Sequence, residues 1–367
     1  MKTLLLSSLS SICLLPALLA QSPTQFWNQL SKKPVVVQQI NGSAKQNLKF
    51  IKFENGMLVA ELDGGAAEIS LPVNDSMAST LRYKIPKLEL IQGYVKQKNY
   101  DEALKLMRPS IYPLVKFHEL PSQFRQFHGP IRMLLQTLVQ SENYDEVEFI
   151  LSKIQLDKVG IEYSRFAGNL IDRYLEIDNL DGVTTLATSM PVNGIYRENI
   201  TRLMDTADSL RAANRYAAVI PLYKTILPIV PKGAQPSMKM WLAYSLILND
   251  QLEEGSEIFE ELQQPAPDSQ LFSLYKLLEG SRLYRSGEYS KALDVLTRGF
   301  VRARTSYDWV PEMLYLIGDC YAKAEDTLSA SNVWEEITAL YPSSPWAQRA
   351  SESLGKLPKP NTTTTES

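Results

Sequence analysis

The chain has 367 residues, of which 44% are hydrophobic, 22% are charged and 17 are glycine. This composition excludes a disordered or collagen-like chain and is sufficient for a sizeable buried core. Thirty-eight basic residues against 41 acidic ones leave a formal charge of −3, which provides no overall field to attract phosphate backbones. We therefore expect a globular protein whose partner is not a nucleic acid.

Residues 1–20 have the pattern of a secretory signal peptide. Lys2 is the only charge, residues 4–19 are almost all apolar or serine, and Pro16 precedes the small residues Ala17 and Ala20. We expect cleavage after Ala20 and an exported chain, periplasmic or secreted, without stable membrane insertion. An uncleaved anchor is the alternative, but this interrupted stretch falls short of the about 20 apolar residues that span a bilayer.

Residues 21–80 are predicted to form a small β-rich module. Four β-prone runs alternate with Asn-Gly or Asp-Gly dipeptides, which tolerate positive φ in tight hairpins. The predicted strands and turns of this antiparallel meander are Val35–Ile40, Asn41-Gly42, Leu48–Phe53, Asn55-Gly56, Met57–Leu62, Asp63-Gly64 and Ala67–Leu71. We expect Phe26, Trp27 and Leu30 to cap the module as a short amphipathic turn. The alternative role for the module is to accept a partner strand at its edge.

From residue 84 to 342 apolar residues recur at three-and-four spacing, which predicts an all-α region. One position in this region is small or β-branched and recurs at intervals of 44, 36, 36, 36, 37 and 38 residues. It is occupied by Ala103, Val147, Val183, Val219, Gly255, Ala292 and Ala330. A period this regular predicts about seven stacked helical hairpins that form one solenoid domain. Residues 343–367 are predicted to be a C-terminal cap followed by a disordered tail.

The repeats resemble the tetratricopeptide repeat (TPR) family, most closely at the C-terminal end. The last repeat places these residues at the family's spacing: Leu314, Ile317, Gly318, Tyr321, Ala330, Trp334 and Pro342. The resemblance implies a right-handed superhelical solenoid, in which Gly318 and Ala330 let paired helices approach closely. The ending Tyr341–Ala347, followed by Ala350, is similar to repeats of exported bacterial cell-envelope proteins.

The same resemblance implies a concave groove, lined by the first helix of each hairpin, that binds a protein or peptide partner. The groove-facing positions are Asp172, Asp208, Arg211, Met240, Trp241, Tyr244, Ser281, Tyr284, Arg285, Tyr315, Asp319 and Lys323. Aromatic and mixed-charge side chains suit an extended or helical protein segment. Interior packing is the alternative role for Trp241, Tyr244 and Tyr284.

The sequence has no pattern typical of a catalytic, cofactor or metal site. His118 and His128 have no ligand residues at metal-binding spacing around them, and we expect both to be ordinary loop or helix-end residues. The most notable charge pattern is an acidic run within Asn249–Asp268 followed by a basic run within Arg282–Arg304. It indicates either complementary charge between adjacent repeats or an acidic ridge that attracts a basic partner.

We therefore expect an exported, non-enzymatic scaffold that binds an envelope protein in its groove and contributes to cell-envelope assembly or maintenance. A self-associating structural protein of the envelope, which uses the β module, is the first alternative. A helical carbohydrate-active enzyme is the second, and it would need acidic pairs in a deep cleft of aromatic residues.

Overall fold

The protein is described here by a computed structural model that covers residues 22–62 and 67–357. The chain divides into two compact units, Met1–Gly160 and Ile161–Ser367. The predicted signal peptide, the Asp63-Gly64 turn and residues 358–367 of the predicted tail lie outside the described residues. The domain limits inferred from the sequence stay predictions.

The first unit contains the expected antiparallel meander, extended by a short fifth strand. The strands are β1 Val35–Asn41, β2 Ala44–Glu54, β3 Met57–Leu62, β4 Glu68–Pro72 and β5 Leu81–Arg82, in the spatial order β4-β3-β2-β1-β5. Gly42 has a φ of 60° at the first central position of the β1–β2 turn. Asn55 and Gly56 have φ values of 50° and 73°, so the β2–β3 turn also uses the left-handed conformation that these dipeptides favour.

Six α-helices and a short 3₁₀ helix, Leu156–Lys158, complete the described part of this unit. The α-helices are α1 Pro23–Leu30, α2 Asp75–Thr80, α3 Leu88–Lys96, α4 Tyr100–Val115, α5 Arg125–Gln140 and α6 Tyr144–Leu151. The predicted amphipathic turn is the helix α1, which Ser22 and Gln25 begin with a reciprocal capping box. Its aromatic rings pack on helices of the same unit. Phe26 contacts Tyr112 of α4, and Trp27 contacts Phe149 of α6.

The sheet and the helices of the first unit share one aromatic core. The Phe50 ring of β2 stacks on Phe127 of α5 at a centroid distance of 6.0 Å and lies 6.3 Å from Phe117. All three rings are fully buried. A small sheet has too little core to be stable alone, and here the helices supply the missing apolar contacts.

The described part of the second unit is helical. Its α-helices are α7 Ser164–Glu176, α8 Leu180–Ser189, α9 Glu198–Ala212, α10 Tyr216–Ile226, α11 Gln235–Leu248, α12 Leu252–Glu260, α13 Gln270–Arg285, α14 Tyr289–Phe300, α15 Val310–Lys323, α16 Thr327–Leu340 and α17 Pro345–Lys356. The last of these begins at Pro345, with Ser344 as the N-cap, in the segment predicted to be a cap. Within the described ranges, none of the helices is both long enough and apolar enough to cross a bilayer.

The two helices of each pair, from α3–α4 to α15–α16, are joined by one recurring turn. A residue with positive φ lies two places before the second helix: Lys98, Glu142, Asp178, Asn214, Asp250, Gly287 and Glu325. The next N–H donates to a carbonyl five residues earlier, as Asp326 N–H does to the Tyr321 oxygen at 3.0 Å. This is the Schellman motif, which satisfies the last carbonyls of a helix. Its recurrence supports a helical repeat architecture.

The structure confirms the predicted close contact between paired helices. A Cβ atom added to Gly318 of α15 would lie 2.7 Å from Trp334 Cδ1 of α16, which is closer than such atoms approach. A Cβ on Gly255 of α12 would lie 2.8 Å from the Ala243 carbonyl oxygen of α11. Ala330 is fully buried beside the same α15–α16 seam. Small side chains therefore set the distance between the helices of a pair.

Candidate binding site

In the second unit, helices α9 and α11 bring two predicted groove residues into direct contact. The Arg211 guanidinium lies 3.8 Å from the centroid of the Trp241 ring, a favourable cation–π geometry. Trp241 in turn makes edge-to-face contacts with Tyr244, at 5.7 Å, and with Trp309, at 6.1 Å. Arg211 and Trp241 therefore contact each other and neighbouring aromatic rings, which reduces the surface that they can offer to a partner.

A buried carboxyl completes this cluster. Tyr244 donates a hydrogen bond to Glu312 of α15, and Arg211 Nη1 lies 3.9 Å from the other carboxyl oxygen. Burial raises the pKa of Glu312 to about 6, while the Arg211 charge and the Tyr244 hydrogen bond oppose the rise. The pKa of Tyr244 is also raised well above its usual value, chiefly by burial, so the phenol stays protonated as the donor.

Three predicted groove residues are part of the core. Met240 and Tyr244 belong to the buried apolar cluster around α11 and α13, and Ser281 is fully buried with its hydroxyl donating to the Leu277 carbonyl at 2.7 Å. Their side chains offer no surface to a partner. Fewer of the predicted groove residues are therefore accessible than the repeat spacing predicts.

The other predicted residues lie at least partly on the surface, where several pair with one another or with neighbouring helices. Tyr284 of α13 donates to Asp319 Oδ2 of α15 at 3.0 Å, and burial is the main cause of a raised pKa at Asp319. The further contacts are Asp172 with Arg202 at 2.5 Å, Asp208 with Tyr223 at 3.4 Å, Arg285 with Asp250 at 3.1 Å, and Lys323 with the Tyr289 ring at 5.9 Å. The structure thus brings Tyr284 and Asp319 together, whereas Asp172 pairs with Arg202, which is not a predicted groove residue.

A cleft lies between α9 and α17, and we call it the α9–α17 cleft. Its volume is about 490 Å³, within the range of small ligand sites. The lining residues are Ser209, Ala212, Ala213, Asn214, Pro345, Gln348, Arg349 and Glu352. Both helices belong to the second unit, and Ala213 and Gln348 are exposed in the cleft.

The predicted residue Tyr315 of α15 packs against α17, one of the two helices that form this cleft. Its hydroxyl lies 3.1 Å from Ser353 Oγ of α17, and its ring lies 5.2 Å from the Trp346 ring. Burial raises the pKa of both Tyr315 and Glu312, and the Arg349 charge opposes the rise in both. The guanidinium of Arg349, which lines the cleft, lies 4.6 Å from the Trp346 ring centroid.

Sequence reasoning missed the contribution of α17 to the site. Gln348, Arg349 and Glu352 follow one another at helical spacing, and Gln348 donates to Glu352 at 3.1 Å. A signal was present, because Pro345, Trp346 and Ala350 have the spacing of the first helix of a further repeat. No local sequence signal indicates that α17 lies across the cleft from α9, because the two helices are more than 130 residues apart in the chain.

The acidic run pairs with bases on the helices beside it, which supports complementary charge between adjacent helices. Glu253 and Glu257 of α12 form no ion pair within the described ranges, so part of the run remains an open acidic surface. The observed pairs are Lys224–Glu254 at 2.7 Å, Lys239–Glu261 at 2.9 Å, Arg282–Glu260 at 3.2 Å and Arg285–Asp250 at 3.1 Å. They are partly exposed, and such pairs contribute little stability.

Both histidines are buried and hydrogen-bonded to the backbone of the first unit. The Gln155 N–H donates to His118 Nε2 at 3.1 Å, so His118 Nδ1 carries the proton and donates to the Val115 carbonyl at 2.9 Å. His128 Nε2 lies 2.7 Å from the Leu120 carbonyl. They lie at helix ends as expected, but they are core residues. Across the described ranges, no group of three or more His, Cys, Asp or Glu side chains has metal-binding geometry.

Comparison with known protein families gives one short match. Residues 90–108, from α3 into the first half of α4, match the PPR repeat. No curated protein matches the chain. The match supports a degenerate helical repeat related to the TPR architecture, and helical repeat folds commonly mediate binding to protein or RNA.

Proposed function

We propose that this protein is a non-enzymatic TPR-like scaffold that binds a segment of another protein in the α9–α17 cleft. The helix pairs from α3 to α16 would be about seven hairpins of a right-handed solenoid. The cleft is the observation that carries the proposal, and its lining residues are different from the predicted groove residues. Of those predicted residues, three are buried, and Arg211 and Trp241 contact each other. The α9–α17 cleft combines exposed small side chains with polar groups that can fix the register of a peptide.

Protein is a better partner for this cleft than RNA. Among the described residues, Arg349 is the one basic side chain that lines it, and Glu352 lies on the same helix. Binding to a phosphate backbone requires several basic groups along a groove, and the chain as a whole carries a formal charge of −3. A mixed-charge lining with an adjacent half-buried tyrosine suits a polypeptide.

The proposal includes export to the cell envelope, where the partner would be an envelope protein. The pattern of residues 1–20 supports it. Cell fractionation followed by N-terminal sequencing is the test, with Gln21 as the expected first residue. A cytoplasmic protein that retains Met1 would contradict export, while binding in the cleft would remain to be judged by its own experiment.

Binding is tested by placing a photo-crosslinking amino acid at Ala213 in cells that produce the protein. Ala324 is the matched control, because both alanines are exposed C-cap residues with nearly the same backbone, φ −80° and −85°. Ala324 does not line the cleft. We expect a crosslinked polypeptide from position 213 and none from 324.

The identified polypeptide is then titrated against purified protein by calorimetry. We expect Ala213→Trp, which fills the cleft, to weaken binding at least tenfold, and Ala324→Trp to leave it unchanged. Equal crosslinking from both positions, or RNA as the product at position 213, would overturn the proposal. Multi-angle light scattering of the same samples tests the self-association alternative. A monomer mass at all concentrations would contradict that alternative.

A further inference from the structure

A second concavity lies at the C-terminal end of α14, and we call it the α14 cleft. Its volume is about 390 Å³, and its lining residues are Pro267, Phe272, Thr297, Arg298, Val301 and Arg302. None of these residues lines the α9–α17 cleft. Phe272 is only 7% exposed and forms an apolar floor, whereas Val301 is 73% exposed at the rim.

The charges around this cleft are predominantly positive. Arg298 Nη2 lies 3.0 Å from Asp294, one turn earlier on α14, and so is already paired. Arg302 lines the cleft, Arg304 follows two residues later, and neither has an ion-pair partner among the residues that the structure describes. Asp268, next to Pro267, offsets only part of this charge.

Lys276 contributes no free charge to the cleft. Its ammonium lies 5.6 Å from the Phe272 ring centroid and donates to Glu279 at 2.7 Å and to Gln264 at 3.1 Å. The Phe272 ring is thus buried against a lysine that is already paired. The cleft therefore has an apolar floor, an exposed valine and an unpaired arginine at one edge.

We propose that the α14 cleft binds an acidic linear segment of a protein partner, with an aliphatic side chain on Phe272 and Val301 and a neighbouring carboxylate on Arg302. Charge complementarity is the reason for this occupant, because an arginine fork pairs well with a carboxylate at a partly apolar site. An exposed valine beside a concave apolar floor supplies the contact for the aliphatic group.

The test uses the full purified chain and three fluorescein-labelled peptides of equal length. The probe peptide has two leucines flanked by aspartates and glutamates, and the matched peptides have glutamines or lysines in place of the acids. We expect the acidic peptide to bind, by fluorescence anisotropy, at least tenfold more tightly than either matched peptide. Its affinity should fall as salt rises, because the charges involved are exposed.

Arg302→Glu should weaken binding of the acidic peptide at least tenfold. Lys291→Glu, within α14, is the control, because it reverses an exposed charge outside the cleft. Val301→Gln tests the apolar contact and should weaken binding about threefold or more, and Ala213→Trp should have no effect because it changes the other cleft. Equal binding of the glutamine peptide, or equal losses from Arg302→Glu and Lys291→Glu, would overturn the proposal.

Discussion

Single small residues set the spacing of the paired helices. A Cβ on Gly318 would meet the Trp334 indole, and that ring has limited freedom to move because its N–H donates to the Tyr315 carbonyl at 3.3 Å. We predict that Gly318→Ala lowers the free energy of unfolding by about 1–3 kcal/mol through overpacking. Urea unfolding followed by tryptophan fluorescence measures the change.

The matched control is Gly355→Ala in α17, where an added Cβ would meet nothing within 4 Å. Alanine has the better helix propensity, so this change should raise the free energy of unfolding by up to about 1 kcal/mol. If Gly318→Ala stabilised the protein as much as Gly355→Ala, the proposed role of Gly318 in the seam would be incorrect.

The carboxyl of Glu312 should make stability depend on pH. Its pKa is raised from 4.5 to about 6 in the folded protein, mainly by burial. A pKa that is higher in the folded state means that protonation favours folding. The stabilising contribution is therefore complete below about pH 4.5 and is lost as the pH rises through 6. The difference between the two pKa values corresponds to about 2 kcal/mol.

We predict that Glu312→Gln removes this dependence, because the amide resembles the neutral acid and still accepts from Tyr244. The variant should match the natural protein at pH 4.5 and exceed its free energy of unfolding by about 2 kcal/mol at pH 7. Urea titrations at the two pH values measure the difference. Glu257→Gln, at an exposed position of α12, is the control and should change little. A Glu312→Gln effect of the same size at both pH values would contradict the prediction.

At the scale of the elements, the turn between paired helices repeats one backbone geometry with different residues. Gly287 takes it with a φ of 80° and Glu325 with a φ of 62°, and an added Cβ on Gly287 would meet nothing within 4 Å. Left-handed backbone costs roughly 1–2 kcal/mol for a residue with a side chain. We predict that Gly287→Ala lowers stability by about 1 kcal/mol and that Glu325→Gly raises it by a similar amount. Thermal unfolding measures both, and shifts in the same direction would show that the turn does not control stability through φ.

The elements that the sequence predicts are those with a local pattern. The Asn55-Gly56 dipeptide and the alternation around it predict the β2–β3 hairpin, and the recurring small positions predict the helix pairs. The strand β5 has only two residues and exists because it pairs with Gln38 and Gln39 of β1, so no local pattern signals it. The helix α1 has a clear amphipathic pattern, but the surface that it covers depends on tertiary contacts.

The edge strand β4 argues against self-association by strand addition at that edge of the sheet. The strand β4 has five residues, ends at Pro72 and carries no N–H at that last position. Short edge strands with a proline pair poorly with other chains. This favours binding in the helical unit over strand addition at β4.

At the scale of the whole molecule, repeat spacing predicts which helices line a surface but not which of their side chains remain accessible. Trp241 and Arg211 occupy the predicted helices, yet they contact each other. The Tyr244–Glu312 hydrogen bond joins residues 68 positions apart, and α17 completes the cleft with α9. Such long-range contacts depend on how the helices pack in three dimensions, which the sequence pattern does not encode locally.

The first unit should behave as one cooperative structure, because its sheet and helices share the core around Phe50. We predict that Phe50→Ala costs about 3–5 kcal/mol, as expected for a buried aromatic ring. Phe53→Ala, at a half-buried position of the same strand, should cost less and serves as the control. Hydrogen exchange should show that Phe50→Ala reduces protection in β2 and in α5 together, since the Phe50 ring stacks on Phe127. Loss of protection in the strands alone would mean that the helices do not depend on the shared core.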